Sequence, residues 1–512
     1  MPENMRAYVV VATIALIMLF FVRRSAGFFI SATDFRRWVL LWFVVTTVGF
    51  FMPNFWLMAA TNATVVLIAL SQERIKPALF LLLLAALPMI GVDIPGFGII
   101  NYIFTINYQL MLSLVILLPL MLFTRRQDGH KGVSLEDVLL LTYLLLIFLL
   151  NLRETTITDS MRRSFLFFLT GVLPFFVLSR YVATPTAIRR VILAFLIPVF
   201  IYAPIGVFEM VKYWSLYASA VANWDLSISA YLPRAGLLRA VGPAVPHGPI
   251  VFGSLFVVAA GFMIALSRGR VAAERFWFGK VTIWSGLLSS LSRGPWVAAA
   301  VVYLLYWMTG PDKVTRAVRY GLPVLVLALM LLVTPFGAKI WGLLPFIGNL
   351  ADETVSYREQ VWNVSTDVIA KYPLFGNVQW RDLPEMQVLV QGQGIIDIVN
   401  TYVGQALEYG LVGLALFVSF FFVVLRRLRR AYRRAGLDRA EEAHTARALF
   451  ATMAGLLVMI ATVSSVGLIP WLYWSVAGLC VAQTRMLQRE PVTEKTSTRA
   501  RTHARRRVVG GA

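Results

Sequence analysis

The sequence predicts an all-α polytopic membrane protein with about 12–15 transmembrane helices and a large, partly helical periplasmic loop. Of its 512 residues, 59% are hydrophobic and only 14% are charged. The apolar residues form long blocks, several of which approach the roughly 20 residues that cross about 30 Å of hydrocarbon. A soluble domain of this length could not bury so much apolar surface.

The predicted spans follow one another along almost the whole chain. They are residues 7–22, 38–52, 55–71, 78–91, 106–123, 137–151, 164–179, 190–211, 249–266, 276–291, 295–309, 320–335, 402–424, 447–466 and 469–486. The segment 52–54 reads either as a tight turn or as a kink, so we expect about 14 spans. The first block ends in Arg23-Arg24 and has no small-residue cleavage site, so we expect it to remain as an anchor.

The charges between the spans predict which loops face the cytoplasm. Residues 268–280 carry four bases and one acid, residues 311–319 three bases and one acid, and residues 425–447 eight arginines and three acids. Basic loops of this kind lie on the cytoplasmic side. Residues 336–401, with seven acids and four bases, are therefore expected outside. The basic residues behind the net charge of +21 form short clusters between apolar blocks, as in cytoplasmic loops, so we expect no nucleic-acid partner.

Residues 281–310, "VTIWSGLLSSLSRGPWVAAAVVYLLYWMTG", allow two interpretations. A single span would place one of the flanking basic loops outside, whereas two short spans that turn at "SRGPW" keep both inside. We favour the hairpin, because Gly294-Pro295 supplies turn chemistry and breaks a continuous helix. Arg293 then lies at the external end of the hairpin, on the side of the acidic loop.

The large external loop is expected to contain an amphipathic helix over residues 357–371, lying over the membrane face. Ser356 and Glu359 have the spacing of a capping box, and Pro373 ends the apolar periodicity. Arg358 in the first turn opposes the helix dipole, at a cost of about 0.3–1 kcal/mol. Because a positive charge is unfavourable at the start of a helix, the presence of Arg358 there favours a functional role for it.

Three segments resemble the O-antigen ligase / polysaccharide polymerase superfamily of bacterial inner-membrane proteins. They are "RAVGPAVPHGPIVFG" (239–253), "LLSSLSRGPWVAAAVVYLL" (287–305), and "YREQVWNVSTDVIAKYPLFGN" (357–377) joined to "NTYVGQALEYGLVGLALF" (400–417). The resemblance covers roughly residues 235–425. It divides the chain into N-terminal helices (1–234), this core with the periplasmic loop 336–401, C-terminal helices (426–487) and a basic, disordered cytoplasmic tail (488–512).

The resemblance implies a glycosyltransferase of the inner membrane that works on the periplasmic face without metal or cofactor. Such enzymes transfer or polymerise a glycan from an undecaprenyl-diphosphate-linked oligosaccharide donor to a glycan or lipid-linked acceptor, as in exopolysaccharide or O-antigen synthesis. Membrane lipids are expected partners, and other polysaccharide-assembly proteins are candidate partners. Consistent with an enzyme that uses no nucleotide cofactor, the sequence contains no P-loop or dinucleotide motif. Its four histidines are too scattered for a metal cluster. Cys480 is the one cysteine, so no disulfide framework is expected.

One position departs from the family pattern. Ligases of this family place a histidine directly before the asparagine of the loop motif, where this chain has Val399, while Asn400, Gly410 and Gly413 keep the expected spacing. The departure favours a polymerase-like member.

Arginines are our candidates for stabilising the diphosphate leaving group, because a guanidinium binds phosphate oxygens bidentately and stays charged. Arg239 and Arg293 are assigned catalytic roles, and Arg358 a substrate-binding role. The alternative interpretations are a lipid-facing interfacial arginine for Arg293 and a solvated loop arginine for Arg239.

The acceptor hydroxyl must also lose a proton. Asp397 is our catalytic base, on the argument that it loses hydration at the membrane surface and its pKa rises; the alternative is an acid placed to suit the helix dipole. Four further residues are assigned to substrate binding, namely His247, Asn400, Tyr402 and Glu408. His247 is a second possible base or merely a turn residue, and Glu408 is expected to pair with an arginine. Tyr402 and Trp380 are candidates to stack on sugars, although aromatic residues are also common at interfaces.

Two other classes of function stay open. A polysaccharide transporter or flippase also carries intramembrane charges, and Pro198 and Pro204 are possible helix breaks for a transport path. The polar residues collect on one face, however, and no internal repeat is evident. A non-catalytic assembly partner is the third alternative, which the missing histidine favours.

Overall fold

The computed structural model describes residues 2–98, 101–123, 132–222, 224, 233–234, 236–267, 272–310, 352–391 and 394–489. Sixteen helices are labelled here, and two short strands form a hairpin. The helices are α1 Glu3–Ala26, α2 Ala32–Phe51, α3 Phe55–Gln72, α4 Pro77–Leu83, α5 Tyr108–Phe123, α6 Leu135–Glu154, α7 Ile157–Tyr181, α8 Pro185–Lys212, α9 Ala218–Ala222, α10 Pro249–Leu266, α11 Ala272–Ser289, α12 Arg293–Met308, α13 Asp352–Lys371, α14 Thr401–Arg434, α15 Ala440–Ile460 and α16 Ile469–Gln488. The strands are β1 Val92–Pro95 and β2 Tyr102–Ile106.

The chain is an all-α polytopic membrane protein, as predicted. Within the described ranges, eight helical segments are long and apolar enough to cross a membrane: α1, α3, α6, α7, α8, α10, α14 and Leu437–Ile460, which contains α15. The predicted span 320–335, the basic loop 311–319 and nearly all of the C-terminal tail lie outside the described residues. The total number of spans therefore stays a prediction.

One N-terminal prediction was wrong in detail. The span expected at 78–91 is helical only over α4, and the buried chain beyond it runs through Pro88 and Gly91, which do not favour a helix. The strands β1 and β2 then pair antiparallel, a feature that the sequence analysis missed. The segment at 52–54 is a turn, because α2 ends at Phe51 and the Asn54 side chain caps α3.

The predicted hairpin of short helices is confirmed. Helix α11 ends at Ser289 and α12 begins at Arg293, with Leu291 in the left-handed region (φ 46°) between them. Helix α10 is almost wholly buried and packs against α8, α11, α12 and α15, so it forms the centre of the bundle. Helix α8 runs unbroken through Pro198 and Pro204, so neither proline supplies the break that the transporter alternative invoked.

The segment 352–400, which we call the external segment after the side of the membrane predicted for it, has a small apolar core of its own. Val361 and Val368 of α13 pack with Trp380, Met386, Leu389 and Ile398, and with Leu407 at the start of α14. Helix α13 begins at Asp352, so Ser356 lies inside it and is not its N-cap as expected. Within α14, Gly410 (φ 67°, ψ −171°) breaks the helical backbone, which leaves main-chain groups available to the external segment.

Candidate functional site

A cavity of about 810 Å³ lies where the external segment meets the ends of the membrane helices; we call it the main cavity. Of the eight site residues that the sequence predicted, it is lined by five: Arg239, His247, Asp397, Asn400 and Glu408. These residues are up to 169 positions apart in the sequence, from 239 to 408. The fold therefore gathers the first and third family-like segments around one volume of the size that holds organic ligands.

The loop that carries Arg239 is held from both sides. The Arg239 Nη2 donates to Ser292 Oγ at 2.9 Å, which joins the first family-like segment to the turn of the α11–α12 hairpin. Ala240 N donates to Ser289 O at 3.0 Å. On the other side, the buried Glu209 carboxylate of α8 accepts hydrogen bonds from the main-chain N–H groups of Val241 (3.0 Å) and Gly242 (2.8 Å).

Glu209 also accepts a hydrogen bond from Leu216 N at 2.9 Å. Three main-chain donors thus face a carboxylate that is fully buried in an apolar helix. A buried carboxyl group is costly unless it is hydrogen-bonded, so the bonds from Val241 and Gly242 hold the Arg239 loop against α8. The sequence analysis missed Glu209, although a lone glutamate in an apolar span was a usable signal.

Arg293 is the first residue of α12 and does not line the main cavity, but it belongs to a group of arginines. Burial and repulsion by Arg293 and then Arg358 lower the pKa of Arg234 below the usual arginine range. Burial and repulsion by Arg293 likewise lower the pKa of Arg358, while Asp397 opposes this effect. Arg234, which the sequence analysis missed, donates to Leu291 O at 2.8 Å. We call Arg234, Arg293 and Arg358 the arginine cluster.

Asp397 lines the main cavity and is close enough to Arg358 of the arginine cluster to oppose the lowering of the Arg358 pKa by burial. Its Oδ1 accepts hydrogen bonds from Val399 N (3.1 Å) and from the Ser464 hydroxyl. Val399 has a positive φ of 51°, and its N–H also contacts Ser464 Oγ at 3.0 Å. Asp397 is exposed to solvent, so the loss of hydration that the sequence argument assumed is not found. Its place beside the arginines and on the cavity wall keeps it a candidate base by geometry.

His247 precedes α10 and is half-buried in the cavity wall. Its Nε2 lies 3.2 Å from Met89 O, and because a carbonyl only accepts, this nitrogen carries the proton. Burial lowers the pKa of His247 below the ordinary 6.5, although the Met89 contact opposes this shift. The neutral ring then leaves Nδ1 with a free lone pair. Gly467 (φ 57°) packs against the ring, since a Cβ there would lie 2.8 Å from His247 Cβ.

The three remaining predicted residues on α14 and its N-cap have different roles. The Asn400 side chain caps α14 by accepting from Tyr402 N at 2.9 Å. Tyr402 does not line the main cavity, and its hydroxyl donates to Leu457 O at 2.9 Å, so the predicted sugar contact is not supported. Glu408 pairs with Arg163 at 3.8 Å, as expected, and accepts from the Tyr409 hydroxyl at 2.9 Å.

Arg163 and Arg381 line the main cavity and were not singled out from the sequence. Arg163 lies on α7, whose first residues were not recognised as helical, and Arg381 lies within a single turn of 3₁₀ helix, Trp380–Asp382. The Arg381 guanidinium lies 4.1 Å from the ring centroid of the buried Trp380, so this cation–π contact covers a ring that we considered for sugar stacking. Among the described residues, no group of three or more His, Cys, Asp or Glu side chains is arranged to hold a metal ion.

Comparison with known families gives one match. Residues 278–418 match the family model described as O-Antigen ligase. The match includes the hairpin turn with Arg293, the external segment with Asp397, and the first half of α14, while Arg239 and His247 precede it. No curated protein matches the chain.

Proposed function

We propose, from the match of residues 278–418 to the O-antigen ligase family model, that the chain is a periplasmic-face glycosyltransferase of the bacterial inner membrane. The match itself supports a multi-pass membrane enzyme of the ligase or polymerase type that uses lipid-linked glycans. More specifically, we propose that the protein polymerises or ligates a glycan carried on undecaprenyl diphosphate. The observation that carries it is the main cavity, in which a histidine, carboxylates and arginines from separate segments meet.

The arginines would act on the leaving group. In the transfer, the bond between the anomeric carbon and the diphosphate oxygen breaks while the acceptor oxygen bonds to that carbon, so negative charge grows on the diphosphate. Arg239 in the cavity wall and the neighbouring arginine cluster would offset this charge. Fixed cations that are partly shielded from water stabilise developing charge more than the same groups in bulk solvent.

A base would take the proton of the acceptor hydroxyl. His247, with a lowered pKa and its Nε2 proton directed to Met89, is neutral near pH 7 and offers a free nitrogen. Asp397 lies on the same cavity wall and offers a carboxylate that is also close to the arginine cluster. Glu408 is engaged by Arg163 and Tyr409, which favours a role in shaping the cavity.

The test is complementation of a deletion strain with Arg239→Ala, Arg293→Ala or Arg430→Ala, with membrane abundance measured for each. Arg430 is an exposed arginine near the far end of α14 and serves as the matched control. We expect Arg239→Ala and Arg293→Ala to lose long-chain glycan and accumulate lipid-linked repeat units, with losses of about 10²-fold or more in transfer. Normal glycan length in both variants would contradict the proposed site. Repeat units stranded on the cytoplasmic face would indicate a flippase instead.

A further inference from the structure

A second cavity, of about 490 Å³, lies next to the main cavity; we call it the outer cavity. One wall is the turn between α6 and α7, and the other is the part of the external segment around Trp380. Its lining is Glu154, Thr155, Thr156, Asp159, Arg163, Val378, Gln379, Arg381 and Asp382. Arg163 and Arg381 line both cavities, so the two volumes are neighbours across this pair.

The lining of the outer cavity differs in chemistry from that of the main cavity. Val378 is its one apolar residue, whereas the main cavity also has Phe167, Phe417, Tyr473 and Trp474 in its walls. Carboxylates, hydroxyls, an amide and guanidinium groups offer both donors and acceptors to a ligand. A lipid chain would gain nothing in such a volume, while a ligand rich in hydroxyl groups would find partners on both walls.

The position of the outer cavity also limits its function. Neither Arg239 nor His247 nor Asp397 lines it, so it does not hold the reacting bond. The walls are fixed to each other, because Val378 N donates to Glu154 Oε2 and Arg153 Nη2 donates to Gly376 O at 3.2 Å. Gln379 and Asp382 in these walls are exposed to solvent.

We propose that the outer cavity binds a saccharide unit of the glycan substrate that is remote from the reacting bond. This proposal rests on the proposed function, since it assigns the sugar chain and the diphosphate to neighbouring volumes. A unit held there would keep the glycan on the enzyme between transfers, and it would lower the KM for glycan without changing the groups that act on the bond.

The test uses Gln379→Ala and Asp382→Ala in the full-length protein, with Asp367→Ala as the matched control. Asp367 is an exposed carboxylate on α13 and belongs to neither cavity lining. The substrate is lipid-linked glycan extracted from membranes of the deletion strain. We expect the KM for this glycan to rise about 2- to 10-fold for each variant, as one lost hydrogen bond implies, with kcat unchanged. In cells we expect shorter glycan chains at normal enzyme abundance.

The outcomes separate the two proposals. If both variants keep the wild-type KM and chain length while the wild-type enzyme is active, the outer cavity is not a saccharide site. The proposed function is unaffected by that result. A fall in kcat without a change in KM would also contradict the outer cavity as a saccharide site. If the deletion strain itself makes normal glycan, the proposed function fails.

Discussion

Gly376 of the external segment and Gly410 of α14 meet backbone to backbone. A Cβ on Gly376 would lie 2.5 Å from Gly410 N, and a Cβ on Gly410 would lie 2.3 Å from Leu374 O. Both glycines have positive φ values, 61° and 67°. Any residue with a Cβ is therefore unfavourable at either position for two reasons, the positive φ and the steric clash with the facing backbone.

The hydrogen bonds around this contact complete the break in α14. Leu411 N donates to Pro373 O at 2.8 Å and Val412 N to Leu374 O at 3.1 Å, while Asn377 N donates to Leu407 O at 2.8 Å. The "PLFG" turn thus supplies partners that the helix lost at Gly410. The two glycines allow this backbone contact to form. The contact holds the external segment over the main cavity.

Gly410→Ala is expected to destabilise the protein and to reduce transfer. A strained residue alone costs roughly 1–3 kcal/mol of stability, and the clash with Leu374 adds to the cost of the positive φ. The thermal unfolding midpoint of the purified protein should therefore fall. Gly404→Ala is the control for the unfolding midpoint alone, because it lies in the same helix and a Cβ there meets nothing within 4 Å, although Gly404 lines the main cavity. An unfolding midpoint for Gly410→Ala equal to that of Gly404→Ala would show that the two backbones do not need this contact.

Glu209→Gln is expected to loosen the Arg239 loop. A glutamine amide nitrogen cannot accept a hydrogen bond, so at least one of the N–H groups of Leu216, Val241 and Gly242 would lose its acceptor, at a cost of about 1–3 kcal/mol. The measurements are the unfolding midpoint and the KM for the lipid-linked donor, both compared with the exposed control Glu359→Gln. A donor KM unchanged from wild type would mean that Glu209 does not position Arg239.

Hydropathy and charge were enough to predict the helical membrane fold and the α11–α12 hairpin, because both follow from local composition. They could not predict the β1–β2 pairing or the length of α4, which depend on packing between distant segments. Arg239 and His247 were selected because they lie in a family-like segment, and Asp397 because it stands three residues before Asn400; their roles stay predictions. Arg234, Arg163 and Glu209 were missed because their roles arise only when the chain is folded, through contacts with Arg293, Glu408 and the Arg239 loop.

Arg293→Gln is expected to stabilise the substrate-free protein while it impairs transfer. Burial, and after it repulsion from Arg293, lowers the pKa values of Arg234 and Arg358, so removing the Arg293 charge relieves repulsion in the arginine cluster. The unfolding midpoint should rise at low salt, and this gain should shrink as salt screens the charges. The control is Arg430→Gln, and a midpoint lowered by Arg293→Gln would indicate that Arg293 is held mainly by structural contacts.

The pH dependence of transfer separates the two candidate bases. Since burial lowers the pKa of His247 below 6.5, its neutral form persists to lower pH than that of an exposed histidine. If His247 accepts the proton, the rate stays level near pH 7 and declines only below pH 6.5, as the ring becomes protonated. The same shift makes the contribution of His247 to stability complete above pH 6.5 and progressively lost as the pH falls, because the unfolded chain then binds the proton more readily.

His247→Gln should therefore lower kcat/KM by about 10²- to 10⁴-fold and remove this decline at low pH. Asp397→Asn is the parallel variant, because Asp397 lines the same cavity. If His247→Gln keeps the rate while Asp397→Asn loses it, the carboxylate beside the arginine cluster is the proton acceptor. That result would also account for Val399, which stands where ligases of the family have a histidine. Asp397, hydrogen-bonded to Ser464, would then do the work of that histidine.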